Sequence, residues 1–362
     1  MLHARGTRRR LPEQRAVFAV PGDLNTLTGG YAYARRMLTE LGAAGWDVHH
    51  LPLGEGFPDP TAQTLAHAYR LLASQPEDVP LLVDGLALGA MPGIAQALGE
   101  RQPLVALIHH PLALESGLDC DRARALATTE RAALAAACHV VTTSRTTACT
   151  LERDYGVSAE RITVVVPGTD AVPTACGSGS QQLALLSVGT LVPRKGHDLL
   201  LAALAALQDL PWHLTIVGDA HRDPATALAL REAALHARLA GRVVFAGAVD
   251  ATHLSAHYER ADLFVLASRH EGFGMAFAEA LAYGLPLLGT TAGAIPEAVP
   301  AGAGMLVPPD DLPALTEALR VLLSDQATRK QLGASARAAA AALPPWHASA
   351  AVLAGVLREA AQ

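Results

Sequence analysis

Short, unbroken apolar runs alternate with longer stretches in which apolar positions recur every three or four residues, from one end of the chain to the other. A strand covered by helices on both faces must be apolar on both faces, so it reads as a continuous run. The helical recurrence marks the elements that cover it. Strands are expected at 16–20, 48–51, 81–83, 104–108, 140–143 and 162–166, with helical stretches such as 31–41 and 128–137 between them. The pattern restarts at 183–188, 214–217, 243–246, 263–266 and 287–289. Between the two series lies PGTDAVPTACGSGSQQ (167–182), rich in Gly, Pro and Ser and without a period, which reads as a linker. The expected fold class is therefore α/β, with two doubly wound, Rossmann-like parallel-sheet domains facing across a cleft. The first domain spans 1–170, a linker 171–182, and the second domain 183–343. A terminal helix over 344–362, after Pro344 and Pro345, is free to pack back on the first domain.

Composition narrows the class. A chain of 362 residues suits two domains. Hydrophobic residues are 51% and aromatics only 4%, so the core is built from Ala, Leu and Val. The net charge of -6 leaves no basic surplus for gripping nucleic acid. Cys120, Cys138, Cys149 and Cys176 show no CxxC and no metal-ligand spacing, so they read as reduced thiols. No apolar run reaches the roughly 18 residues of a membrane span. Residues 1–15 hold five arginines with no apolar segment behind them, which is not a secretory signal. They form either a solvated tail or a basic arm against anionic lipid headgroups. The expected location is cytoplasmic, with peripheral contact at the inner membrane face if the arm binds lipid.

The most informative segment is DLFVLASRHEGFGMAFAEALAYGLP (262–286): a buried strand, a polar loop, a glycine turn and a helix closed by Gly284 and Pro286. Gly272, Phe273 and Gly274 lead into the helix at Met275, where unpaired amides and the positive end of the helix dipole make an anion site. Glu271 precedes that helix and Glu279 lies inside it among apolar neighbours. Glu279 either faces solvent or finds hydrogen-bond partners, since burying an unpartnered carboxylate is costly. A second segment, SVGTLVPRKGHDLLL (187–201), ends a strand at Gly189, carries Arg194 and Lys195 in a loop, and starts a helix near His197 or Asp198. Two cations at a cleft can neutralise a departing diphosphate.

The two segments together resemble family 4 of the retaining glycosyltransferases, with its E-x7-E element at Glu271 and Glu279 and its usual GFGM and GLP surroundings. The resemblance implies a GT-B fold and a nucleoside-diphosphate sugar as donor, UDP- or GDP-linked, bound by the second domain. It implies that Glu271 contacts hydroxyls of the transferred sugar. The amides of Gly272, Phe273, Gly274 and Met275 then hold the diphosphate, and Glu279 binds the ribose. The backbone near Val249, in VVFAGAV (243–249), meets the base. Lys195 matches the lysine of the donor-phosphate loop. At Thr190 the chain departs from the family, which usually has an arginine there, and Arg194 is the cation available to replace it.

In the first half, Thr28, Gly29, Gly30 and Tyr31 follow the first strand and open a helix, resembling the family's glycine loop at the transfer site. No GxGxxG follows that strand, which argues against a nicotinamide dehydrogenase. His109 and His110 stand at the carboxyl end of the strand 104–108. The resemblance assigns the histidine near the transferred sugar to His109, with His110 as second choice. Glu115 is a candidate for acceptor contact together with Tyr31, and Arg145 either points into the cleft or merely neighbours a capping Ser144. The function implied is transfer of a monosaccharide to a hydroxyl of a glycan, lipid-linked or small-molecule acceptor, with no cofactor and no metal required. A sugar-nucleotide epimerase of the same fold, or a non-catalytic nucleotide-sugar-binding subunit, is the alternative.

Overall fold

The computed structural model describes residues 14–362. The basic arm expected at the N-terminus lies outside these residues, except that Arg15 is in the first strand, 3.6 Å from Asp78. Among the described residues, twelve strands form two sheets. The first holds β1 (Arg15–Val20), β2 (Asp47–Pro52), β3 (Leu81–Asp84), β4 (Leu104–Ile108), β5 (His139–Thr142) and β6 (Ile162–Val164). The second holds β7 (Leu183–Val188), β8 (Trp212–Val217), β9 (Val243–Gly247), β10 (Leu263–Val265), β11 (Leu287–Thr290) and β12 (Gly304–Val307). Their orders are β2-β1-β3-β4-β5-β6 and β12-β11-β10-β7-β8-β9, with every paired strand parallel. Both orders reverse direction once, between β1 and β3 and between β7 and β10, and ligands of such sheets bind at the carboxyl ends of those strands.

The strand expectations hold at their centres and drift at their ends, as fraying of edges dictates. β12 was not expected. It is a four-residue edge strand that begins on Gly304, and its first three residues are only half-buried, so it carries no long apolar run. The helix expected at 128–137 begins at Cys120, where Asp119 accepts the Arg122 amide at 2.7 Å. Its first two turns are polar, which hid the period.

The chain crosses between the domains twice, side by side. The Thr169 amide donates to the Pro344 carbonyl at 2.9 Å. A Cβ on Gly168 would lie 2.3 Å from the Trp346 backbone, so only glycine permits this crossing. Beyond it the helix Trp346–Ala360 packs on the first domain, burying Trp346, Leu353 and Leu357 against Phe18, Tyr33 and Met37. The second half of the linker is strapped to the second domain. Ala175 and Cys176 donate to the carbonyls of Tyr283 and Glu259, and the Asp262 carboxylate accepts from Ser178 and Ala184. Among the described residues no helix is long and apolar enough to cross a membrane.

Candidate active site

The loop after β7 is shaped by three residues. Pro193 opens a 3-10 turn, Pro193–Lys195, and Gly196 closes it at φ +64°. A Cβ there would sit 1.9 Å from the Ala267 carbonyl oxygen. His197 then starts the helix His197–Ala205 with its ring buried and Nε2 3.3 Å from the Gly189 carbonyl. Burial pushes this imidazole down to about 4, so it is neutral and donates its Nε2 proton to that carbonyl. The turn is thereby fixed so that Arg194 and Lys195 face the end of β10.

Glu271 waits there. Lys195 Nζ donates to its Oε1 at 2.7 Å, and the Ser268 hydroxyl donates to the same oxygen at 2.6 Å. Arg194 Nη1 lies 3.5 Å from Oε2 and donates to the His270 carbonyl at 2.9 Å. Glu271 is 7% exposed. Burial alone would raise its pKa, but the charges of Lys195 and Arg194 outweigh burial and hold it at about 2. Burial lowers the Lys195 pKa, and the facing Glu271 opposes that shift. The result is a compact ionic centre at the switch point of the second sheet.

The glycine turn follows. Gly274 has φ +98°, which allows the chain to enter the helix Met275–Ala282 directly, and Phe273 is buried beneath it. Among the described residues the amides of Gly272, Phe273 and Gly274 donate to no protein acceptor. A Cβ on Gly272 would fall 2.0 Å from the His109 carbonyl oxygen, so the two domains touch backbone to backbone here. Glu279 is half-buried and does have a partner, the Tyr258 hydroxyl, which donates to its Oε2 at 2.8 Å. Burial raises the Glu279 pKa to about 7, against the lowering effect of that bond.

The first domain supplies the opposite wall. His109 sits edge-on to Tyr33, at 5.2 Å between ring centres, with Nε2 3.7 Å from Asp84 Oδ2 and no hydrogen-bond partner among the described residues. Gly30 leaves room in front of that ring, for a Cβ on it would lie 3.7 Å from His109 Nε2. A Cβ on Gly29 would lie 3.7 Å from the Met275 sulfur of the other domain. Tyr31 turns its hydroxyl to the Pro21 carbonyl at 2.9 Å. Glu115 takes Arg194 Nε at 3.0 Å from across the cleft and lies 3.5 Å from His110 Nε2. Burial raises the Glu115 pKa, yet His110 and Arg194 together drive it well below the usual carboxylate range. His270, tilted against His110 at 5.8 Å, is pushed to about 4 by burial and by its cationic neighbours.

The structure thus gathers Lys195, Arg194, Glu271, His109, His110, Glu115, Gly30 and the 272–275 turn around one cleft. Thr190 lies half-buried beyond Gly189, and Val249 packs partly into the core just after Gly247, whose φ is +73°. Arg145 is exposed at the first position of the helix Arg145–Tyr155; Ser144 caps that helix through the Thr147 amide at 3.1 Å. Asp84, Ser268, His270, Tyr258, His197 and Glu297 were not singled out from the sequence. Ser268 and His270 precede Glu271 in the same loop and Asp84 ends a buried strand, so position could have flagged them. Tyr258 and Glu297 carry no local signal.

Two Rossmann-like domains whose switch points face each other, one offering paired cations and open amides and the other a histidine, define a glycosyltransferase of the GT-B class. Comparison with known proteins agrees. Residues 175–339 match the model of "Glycosyl transferases group 1" and residues 50–172 that of "Glycosyltransferase Family 4". Together the two models cover most of the chain, which belongs to the family 4 glycosyltransferases. It is 28% identical to an MMP α-(1→4)-mannosyltransferase of Mycolicibacterium hassiacum, over 84% of this chain and 76% of that protein. It is 32% identical to a D-inositol 3-phosphate glycosyltransferase of Xylanimonas cellulosilytica, over 64% of this chain but only 59% of that one. Among solved structures, a sucrose-phosphate synthase from Thermosynechococcus elongatus superposes with a TM-score of 0.81 at 22% identity, covering 95% of this chain and 99% of that one. Anabaena HepE in complex with UDP-glucose gives 0.75 at 19% identity, with 95% and 99% covered.

Proposed function

We propose that this enzyme transfers a hexose, with retention, from a UDP- or GDP-sugar on the second domain to an acceptor hydroxyl presented by the first. The observation that carries this reading is the Lys195–Glu271 pair, 2.7 Å apart, beside the open amides of Gly272, Phe273 and Gly274. The diphosphate occupies those amides and the Lys195 ammonium, with Arg194 standing in for the arginine absent at Thr190. Glu271 orients Lys195 and takes hydroxyls of the transferred sugar, Glu279 takes the ribose, and the backbone at Val249 takes the base. His109, with Asp84 behind it, faces the transferred sugar. The bond from the anomeric carbon to the phosphate oxygen breaks as the acceptor oxygen bonds to the same face. The acceptor proton passes to the departing phosphate. Negative charge grows on that phosphate, which is where the cations and amides are aimed. Contact between the domains at His109 and Gly272 excludes water that would hydrolyse the donor.

The test is thermal stability with UDP, GDP, ADP and TDP, on the wild type and on Lys195→Ala. A ligand at about 100 times its Kd stabilises a fold by roughly 2.7 kcal/mol. A rise with one diphosphate that Lys195→Ala abolishes supports the reading. Turnover of the matching sugar nucleotide, with the product anomer read by NMR, completes it. No rise with any diphosphate would sink it.

A further inference from the structure

Glu130 is a carboxyl in the wrong place for a surface helix. It lies in the middle of the helix Cys120–Ala136 and is fully buried. Its Oε2 accepts the Leu112 amide at 3.0 Å, and Oε1 has no hydrogen-bond partner among the described residues. The Tyr155 hydroxyl lies near the same carboxyl without closing a hydrogen bond on it. Burying a carboxyl is costly unless it is hydrogen-bonded or gives up its charge. Burial raises its pKa to about 8, so the group is a neutral acid at neutral pH, and the cost of burying a charge is avoided.

The Leu112 amide is the anchor of a short segment that matters. His109 follows directly on β4, Pro111 follows His110, and the 3-10 turn Leu112–Leu114 leads to Glu115. The segment is held from the other side by Thr143 and Thr147, whose hydroxyls donate to the His109 carbonyl at 3.3 and 3.4 Å. Gly89 is shaped for this packing, since a Cβ there would come within 2.7 Å of Leu112 and 3.2 Å of Glu130.

We propose that Glu130 is a positioning residue for glycosyl transfer: its buried carboxyl fixes the Leu112 amide and so sets where His109, His110 and Glu115 stand in the cleft. The inference rests on the reading of this cleft as the transfer site. Glu130 touches neither substrate nor the reacting atoms. It acts through the backbone, and a glutamine, which keeps the acceptor oxygen and the shape, can replace it. A leucine of similar bulk cannot, because it leaves the Leu112 amide buried and unpaired.

The experiment compares wild type, Glu130→Leu, Glu130→Gln and Gly89→Ala. Hydrogen–deuterium exchange over 108–116 reports the segment directly, whether or not the enzyme turns over. Glu130→Leu and Gly89→Ala should speed exchange there about 10-fold or more, as expected when a local hydrogen bond is lost. A misplacement near 1 Å costs on the order of 10²-fold, so kcat should fall by roughly 10- to 100-fold. The KM for the sugar nucleotide, set by the second domain, should stay within about twofold of wild type. Glu130→Gln should restore both readouts. Unchanged exchange in Glu130→Leu and Gly89→Ala, or failure of the glutamine variant to restore it, overturns the proposal. If exchange responds as expected but the wild type transfers no sugar, the positioning role stands and the transferase reading is what fails.

Discussion

The Glu297 carboxylate of the second domain accepts the backbone amide of Thr146 in the first, at 2.7 Å. The same carboxylate takes the Arg145 amide at 2.9 Å and the Thr146 hydroxyl at 2.5 Å. It therefore sits on the exposed amides at the start of the helix Arg145–Tyr155, where a negative charge is favoured by unpaired donors and by the helix dipole. An interdomain contact of this kind holds the cleft closed without occupying it. Arg194 with Glu115, and Thr147 with the Gly272 carbonyl at 3.4 Å, add two more fastenings on the same seam.

Glu297→Ala should loosen the seam. Losing a capping carboxylate costs about 0.5–2 kcal/mol, enough to shift a closed–open balance severalfold. The expected outcome is a larger radius of gyration by small-angle scattering in the nucleotide-free protein, with kcat lowered and nucleotide affinity preserved. An unchanged scattering profile would remove the seam from the account.

Lys195→Ala and Arg194→Ala should both lose transfer. Groups aimed at charge that develops in the transition state are typically worth about 10²–10³ in rate. Lys195→Ala should reach that range. Arg194→Ala should fall short of it, because Arg194 shares its charge between Glu271 and Glu115. Steady-state kinetics on both variants decide this. Full activity in Arg194→Ala would show that nothing replaces the arginine missing at Thr190.

Glu279 should make donor binding depend on pH. Its pKa is raised to about 7, and a ribose hydroxyl donates best to the ionised form. Affinity for an intact sugar nucleotide should therefore increase as pH rises from about 6 to 8, and Glu279→Gln should flatten that slope. Titration calorimetry across this range is the check; a free diphosphate is unsuitable because its terminal phosphate titrates there too.

Stability should also carry two opposite signatures. Glu130, raised from 4.5 to about 8, binds a proton in the folded state that the unfolded chain has released, so its contribution is present below 4.5 and lost as pH rises through 8. Glu271, lowered to about 2, contributes above 4.5 and loses that contribution as pH falls toward 2. Glu130→Gln should remove part of the decline in melting temperature between pH 4.5 and 8 and leave the limb below 4.5 alone. A decline of equal size in that variant would place its origin elsewhere.

By itself, the sequence determined the elements and the segments that carry chemistry. A doubly buried strand must be continuously apolar, so β4 or β7 is visible without any partner. A turn that needs a positive φ beside a helix start favours glycine, so Gly274 is visible as well. Lys195, Arg194 and Glu271 could be named because each lies in a short, recognisable loop. Which of them meet was decided only by the tertiary structure. Arg194 and Glu115 are 79 positions apart, Thr146 and Glu297 151, and even Tyr258 and Glu279 belong to different helices. Such pairs follow from strand order and from the approach of two domains, neither of which leaves a period in the chain. The same holds for Glu130, whose place under the His109 segment exists only once its helix is packed against the turn Leu112–Leu114.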